Sequence, residues 1–182
     1  MNNSVNIMID IETLGRRADA AILQIGVVAF NILSGEIIES QLIKIRESEW
    51  ASNNRTFTGE TFVWWMNQSK EAQQNLLGGE LSQREALKWL SYFIDKHQHE
   101  NCRIWTKGTM DLDVLKSLYD DLGIERPWKY WQPRDMLTLY DVVPVLKVTP
   151  DLPHSALDDA IAQAKQLSRS YLMLINRINS NF

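Results

Sequence analysis

The sequence predicts an α/β protein with a mixed sheet flanked by helices. Three observations predict it. Apolar runs that read as strands dominate the chain as far as Ile45. Helical periodicities then take over, with one further strand, Cys102 to Thr106, set between them. The connection Asn31-Ile-Leu-Ser-Gly35 is too short for a crossover, so the strands on either side of it pair antiparallel.

Val5 to Ile9 is the first strand, and Asp10-Ile11-Glu12 stands at its end. Residues two apart in a strand point to the same side. Asp10 and Glu12 therefore aim two carboxylates at one point just beyond the strand. Carboxylates held that close repel and raise each other's pKa unless a cation sits between them. Hard oxygen ligands in that arrangement suit Mg²⁺ or Mn²⁺. The bland alternative is a strand ending in two solvated charges, and only further ligands elsewhere in the chain separate the two readings.

Thr13 to Asp19 is a loop whose Arg16 and Arg17 face either phosphates or solvent. Ile22 to Phe30 is a second strand, apolar enough to be buried on both faces. Glu36 to Ile45 is a third, with partial alternation, and the polar stretch Glu47 to Thr58 is a loop. Glu60 to Gln68 is helical, with Phe62, Trp65 and Met66 on one face and core packing expected of Trp65. Trp64 falls on another face and is a candidate platform for stacking a base. Ser82-Gln-Arg-Glu85 is a capping box ahead of Leu87, Leu90 and Ile94 at helical spacing. That helix ends near Lys96, with His97 and His99 as its polar end.

The strand Cys102 to Thr106 turns through Lys107-Gly-Thr-Met-Asp111 into a helix that stops at Gly123, so Asp111 stands at a strand-to-helix junction. Pro127 to Pro133 is aromatic and irregular, and Asp135 is placed to cap the apolar stretch Met136 to Val143. Pro144 to Pro153 is a loop. The last helix runs from near Ser155 toward Asn176 and packs through Leu157, Ala160, Ile161, Ala164, Ser168, Tyr171 and Ile175. Ser155 with Asp158 three residues on fits a capping box, which leaves Asp159 as either a ligand or a plain surface charge.

A chain of 182 residues is expected to be one domain, 1–182, with a sizeable core. Its 45% hydrophobic and 23% charged residues are ordinary for a globular protein. One cysteine, Cys102, excludes a disulfide framework and a cysteine-built metal site within the chain. No apolar run approaches the roughly 18 residues of a membrane span, and no secretory signal is visible, so a cytoplasmic protein is expected. A net charge of −4 argues against tight nucleic-acid binding through global charge. It leaves room for an enzyme that holds a strand locally through metals and a few side chains. Seven tryptophans is a high count; some belong to the core, and aromatic faces also stack single-stranded bases.

Four acids and one histidine thus stand at element ends: Asp10, Glu12, Asp111, His154 and Asp159. Ends of strands and starts of helices are where α/β sheets place their sites. In this constellation the chain resembles the DEDDh 3′–5′ exonucleases, the group that includes ribonuclease T, oligoribonuclease and polymerase proofreading subunits. Its texture is similar to small bacterial or phage-type members. The D-x-E motif matches Asp10-Ile-Glu12, followed by Thr13. The second motif, an Asp a few residues after a Gly with Leu four further on, matches Asp111 and Leu115 after Gly108. Its loop is a residue shorter than usual, which makes Asp113 a rival for Asp111. The third, H-x(4)-D, matches His154 to Asp159.

The resemblance implies a ribonuclease H-like fold and hydrolysis of phosphodiester bonds from the 3′ end of single-stranded DNA or RNA. It implies two Mg²⁺ ions, or Mn²⁺, held by Asp10, Glu12, Asp111 and Asp159, with His154 as general base. Asp10 would bridge both ions. The backbone around Thr13 and Leu14 would meet the terminal nucleotide, with Leu14 wedged against its base, and Arg16, Arg17 or Lys107 would contact upstream phosphates. A homodimer is compatible with the surplus of aromatics. The alternative function is a non-catalytic nucleic-acid-binding module on the same fold, whose mark would be a lost ligand or histidine; none is missing.

Overall fold

The computed structural model describes residues 4–144 and 146–180. Among these residues five strands form one sheet in the order β3-β2-β1-β4-β5. They are β1 (Val5–Thr13), β2 (Ile22–Asn31), β3 (Ile37–Lys44), β4 (Ile104–Thr106) and β5 (Pro133–Asp135). β1, β2 and β3 form an antiparallel meander, while β4 and β5 run parallel to β1. The sheet is therefore mixed, as the sequence predicts.

Six α-helices flank it among the described residues: α1 (Gly59–Met66), α2 (Lys70–Asn75), α3 (Gln83–His97), α4 (Met110–Asp121), α5 (Met136–Tyr140) and α6 (Ala156–Asn179). Alternation along β1 divides the core in two. Ile7, Ile9 and Ile11 pack under α3 and α4, with Leu87, Leu90, Leu115 and Tyr119. Met8 points the other way and packs under α5 and α6, with Met136, Ala160, Ala164 and Leu167. Asp10 and Glu12 continue the Met8 side of the strand, so both acids face α6.

The expected capping box of α3 is present: Ser82 Oγ accepts from the Glu85 amide, and the Glu85 carboxylate accepts from Ser82. Asp135 caps α5 by accepting from the Leu137 amide, as expected. His97 and His99 have structural partners, Glu39 and the Val5 carbonyl.

Four expectations need correction. β1 runs through Thr13, so the paired acids lie inside the strand rather than beyond it. The ladder to β2 continues past Asp10 and breaks register only between Glu12 and Thr13. In α1 only Trp65 is buried; Phe62 and Met66 are more than half exposed, because the helix touches the body along one narrow edge. The stretch read as irregular ends in a strand: Pro133 begins β5, whose three residues pair with Ile104, Trp105 and Thr106 of β4. Ser155 is the N-cap of α6 by position, but its hydroxyl caps nothing; it is buried, so the expected box with Asp158 does not form.

Candidate active site

β1 delivers Asp10 and Glu12 from the middle of the sheet. β4 delivers Asp111 through the turn Lys107–Thr109 into α4. Gly108 makes this turn possible with φ +86°, and its amide donates to Asp135 Oδ1 at 2.8 Å. Asp111 falls in the first turn of α4, where the exposed amides and the helix dipole favour negative charge. It is only 6% exposed, whereas Asp113 is exposed and pairs with Lys116. The structure thus brings Asp111 to the cluster and leaves Asp113 outside it.

α6 delivers Asp159 and, just ahead of the helix, His154. His154 adopts φ +64°, a left-handed conformation uncommon for a side-chain-bearing residue. Its amide donates to Asp159 Oδ2 at 2.9 Å, which holds the loop against the helix. Glu12, His154 and Asp159 each offer a ligand atom, and these atoms lie within 4.8 Å of one another.

The carboxylates are all pushed toward their protonated forms. Burial raises Asp10 well above the usual range, and the charges of Asp111 and Glu12 raise it further. Burial, then Asp159 and Asp111, push Glu12 up to about 8. Burial pushes Asp111 up to about 7, against the pull of Lys107. Asp159 is raised by burial, opposed by the His154 amide. Four carboxylates crowded together without an ion-pair partner among the described residues make a site that a proton or a hard cation must neutralise. Oxygen-rich donors with one imidazole fit a divalent metal.

Three residues that periodicity does not single out build the cluster. Gln163, one turn after Asp159, donates from Nε2 to Asp10 Oδ1 at 2.7 Å. Gln24, fully buried opposite Glu12, donates to the Asn75 carbonyl and accepts from the Ala156 amide, tying α2 and α6 to the sheet. Gly26 pairs with Asp10 and lies under the first turn of α6. A Cβ there would stand 2.6 Å from the Leu157 amide nitrogen and closer still to the Ala156 carbonyl. The absent side chain is what lets α6 approach Asp10. A glycine inside an otherwise apolar strand was the available sign of such an approach.

Around the cluster, Trp65 donates from Nε1 to the Thr13 carbonyl at 2.9 Å and fixes α1 to the end of β1. Trp64 stands edge-to-face on the His154 ring, with centroids 4.8 Å apart, and remains 42% exposed. Thr13 is buried and its hydroxyl donates to the Gly15 carbonyl. Leu14 donates its amide to Ala21 and receives the Thr58 amide on its carbonyl. The polar groups expected to meet a substrate here are thus engaged within the protein, and the Leu14 side chain is what the loop offers. Arg16 and Arg17 are exposed, the latter beside Asp19. Lys107 is exposed near Asp111 and Asp159.

The fold is that of the ribonuclease H-like DEDDh exonucleases. The nuclease domain of 3′hExo, a DEDDh family member solved bound to rAMP, superposes with a TM-score of 0.62 over 97% of this chain and 94% of that one, at 13% identity. Exonuclease I of E. coli, solved with a dT13 oligonucleotide, gives 0.64 over 96% of this chain and 43% of that one, at 14% identity. The chain belongs to the family described as the 3′-5′ exoribonuclease Rv2179c-like domain, whose profile matches residues 5–171. It is 28% identical to an exodeoxyribonuclease of Enterobacteria phage T4, over 85% of this chain and 80% of the relative. It is a 3′–5′ exonuclease that acts on nucleic acid, and its Glu12, His154 and Asp159 form a group that could hold a metal ion. No helix among the described residues is long and apolar enough to cross a membrane.

Proposed function

We propose that the chain, as one domain over residues 1–182, removes nucleotides from the 3′ end of single-stranded DNA or RNA with Mg²⁺ bound at Asp10, Glu12, Asp111 and Asp159. The observation that carries this reading is the convergence of these four carboxylates with His154 at one point of the sheet. Two divalent ions, when bound, supply neutralisation of phosphate charge and activation of water. Asp10 would hold the bound metal at the centre of the cluster, because it is the acid that feels Asp111, Glu12 and Asp159 together. Glu12 and Asp159 offer oxygens on the His154 side, and Asp111 offers its own from the start of α4.

His154 is the general base. An imidazole beside the cluster takes a proton from water in the reacting position. Its backbone is tethered to Asp159 and its ring rests against Trp64, which keeps the base near the cluster while its loop stays outside the helix. The Leu14 side chain and the exposed edge of Trp64 are the apolar surfaces on which a terminal base would rest. The family description names ribonucleotide chains and the phage relative deoxyribonucleotide chains. A contact to the 2′-hydroxyl is what would separate them. The expected cytoplasmic location belongs to the same proposal, in keeping with Cys102 as a free, buried thiol.

The test uses 3′-labelled and 5′-labelled strands of both sugars in Mg²⁺. Stepwise loss from the 3′ end is expected, with His154→Ala slower by about 10²–10⁴-fold, the usual contribution of a positioned base. Internal cuts, or cleavage unchanged in EDTA, would overturn the assignment. Binding without cleavage in any metal would favour the non-catalytic module.

A further inference from the structure

The segment Trp128 to Asp135 adds no side chain to the carboxylate cluster, yet it is organised. Trp128 is buried edge-to-face on Tyr119, with centroids 5.4 Å apart. The Lys129 amide donates to Gln132 Oε1 at 2.6 Å, and the Gln132 amide donates back to the Lys129 carbonyl at 3.0 Å. This closed turn holds Tyr130 and Trp131 outward, 90% and 50% exposed, as a perpendicular pair 4.9 Å apart. Exposed aromatics on a fixed turn are surfaces for a flat partner.

The same region carries positive charge without carboxylate partners. Arg103, Lys129 and Arg134 form no ion pair among the described residues. The Arg103 guanidinium donates to the carbonyls of Glu100 and Cys102, and that of Arg134 to those of Trp131 and Pro133. Backbone carbonyls thus fix both planar groups in place and leave their charge available. Three hollows share these residues as lining. Lys129, Trp131 and Arg103 line the first, with Glu100 as its acid. Arg103 and Arg134 line the second, beside Trp105 and Tyr171. Arg134 enters the third, which reaches Gly108 and Thr109 at the start of α4, next to Asp111, with Asp113 and Asp135 as its acids. Among the lining cations only Lys116 is paired, with Asp113.

We propose that this track along the β5 edge holds the 5′ portion of the single-stranded nucleic acid whose 3′ end occupies the carboxylate cluster. Arg134 and Arg103 meet its phosphates, and Tyr130 and Trp131 stack its bases. The proposal rests on the exonuclease reading and adds where the strand goes. The chain as a whole is acidic, so a polyanion needs a local path, and these uncompensated cations supply one. From the Thr106–Asp135 pair back to Trp131 the edge runs on the order of 13 Å at strand rise. That asks for a strand of about 4 nucleotides or more, the lower end of single-stranded site sizes. A dinucleotide fills the cluster without touching the track.

The experiment compares a dinucleotide with a strand of about 12 nucleotides. It uses the wild type, the double variant Tyr130→Ala/Trp131→Ala, and the charge variant Lys129→Gln/Arg134→Gln. For the long strand the aromatic variant is expected to raise KM by about 10-fold or more with kcat unchanged, since the stacking of two bases is lost. The dinucleotide should be cleaved as by the wild type. The charge variant is expected to reduce the salt dependence of long-strand binding, by about 0.7 in log–log slope per cation removed. Fluorescence anisotropy of the long strand in EDTA reads the track without catalysis. Equal losses on both substrates, or unchanged KM and anisotropy on the long strand, would overturn the proposal. So would a defect that follows loss of a dimer in sedimentation, because the aromatics would then serve self-association. If the wild type cleaves neither substrate, the exonuclease reading fails, and the anisotropy still decides the track.

Discussion

Gly26→Ala probes the closeness of sheet and helix on which the site depends. The new Cβ would lie 2.6 Å from the Leu157 amide nitrogen, and nearer to the Ala156 carbonyl. Ordinary contact begins near 3.4 Å, so the first turn of α6 must retreat by at least about 0.8 Å at the amide and more at the carbonyl. No rotamer relieves this, because both partners are backbone. Overpacking of this kind costs about 1–3 kcal/mol. In a domain of this size that lowers the melting temperature by roughly 2–12 °C. The retreat also carries His154 and Asp159, which flank that turn, away from Asp10 and Glu12. A misplacement near 1 Å is enough to cost about 10²-fold in rate. The assay is thermal melting together with single-turnover cleavage, beside Gly59→Ala, whose Cβ would meet nothing within 4 Å. A Gly26→Ala protein that melts within about 1 °C of wild type and keeps its rate would refute the close-packing argument.

Asp111→Asn is expected to lower kcat by about 10²-fold or more, while Asp113→Asn stays near wild type, since its exposed pair with Lys116 is worth at most about 1 kcal/mol; the reverse ranking in a rate assay would exchange their roles. Glu12 and Asp111 are pushed above their ordinary values, to about 8 and about 7. The metal-free folded protein therefore binds more protons than the unfolded chain between roughly pH 4 and pH 8, and its stability falls as pH rises through that window. Melting curves in EDTA should show this fall, and Mg²⁺ should reduce it by replacing the protons; a level or rising trend in EDTA would contradict the cluster's electrostatics. Gln163→Leu removes the amide donor to Asp10 and should weaken Mn²⁺ binding by about 10–100-fold in calorimetry, and unchanged affinity would show that Asp10 needs no such support.

Much of the site is legible in the sequence because its signals are local. Asp10 and Glu12 share a face because a strand repeats every two residues, and the register with β2 keeps them there. Ser82 and Glu85 cap α3, and Asp135 caps α5, because each needs only a few neighbouring residues. The same locality explains the errors. Ser155 and Asp158 have capping-box spacing, but Ser155 is buried under the sheet-to-helix contact and its hydroxyl does not cap. Phe62 and Met66 have core spacing, but α1 meets the body only along the edge that carries Trp65.

What the sequence alone determined is the set of groups: four acids and a histidine at element ends, in an order that matches one kind of hydrolytic site. Tertiary structure decided which of them meet. Asp111 enters the cluster and Asp113 does not, although two positions separate them, because helical rotation turns one to the core and the other to solvent. Gln163 reaches Asp10 across 153 positions of chain, Trp64 rests on His154, and α6 seats over Gly26. These contacts join residues far apart in the chain, and their distances depend on how closely two elements pack. Periodicity describes each element separately and carries no measure of the gap between them.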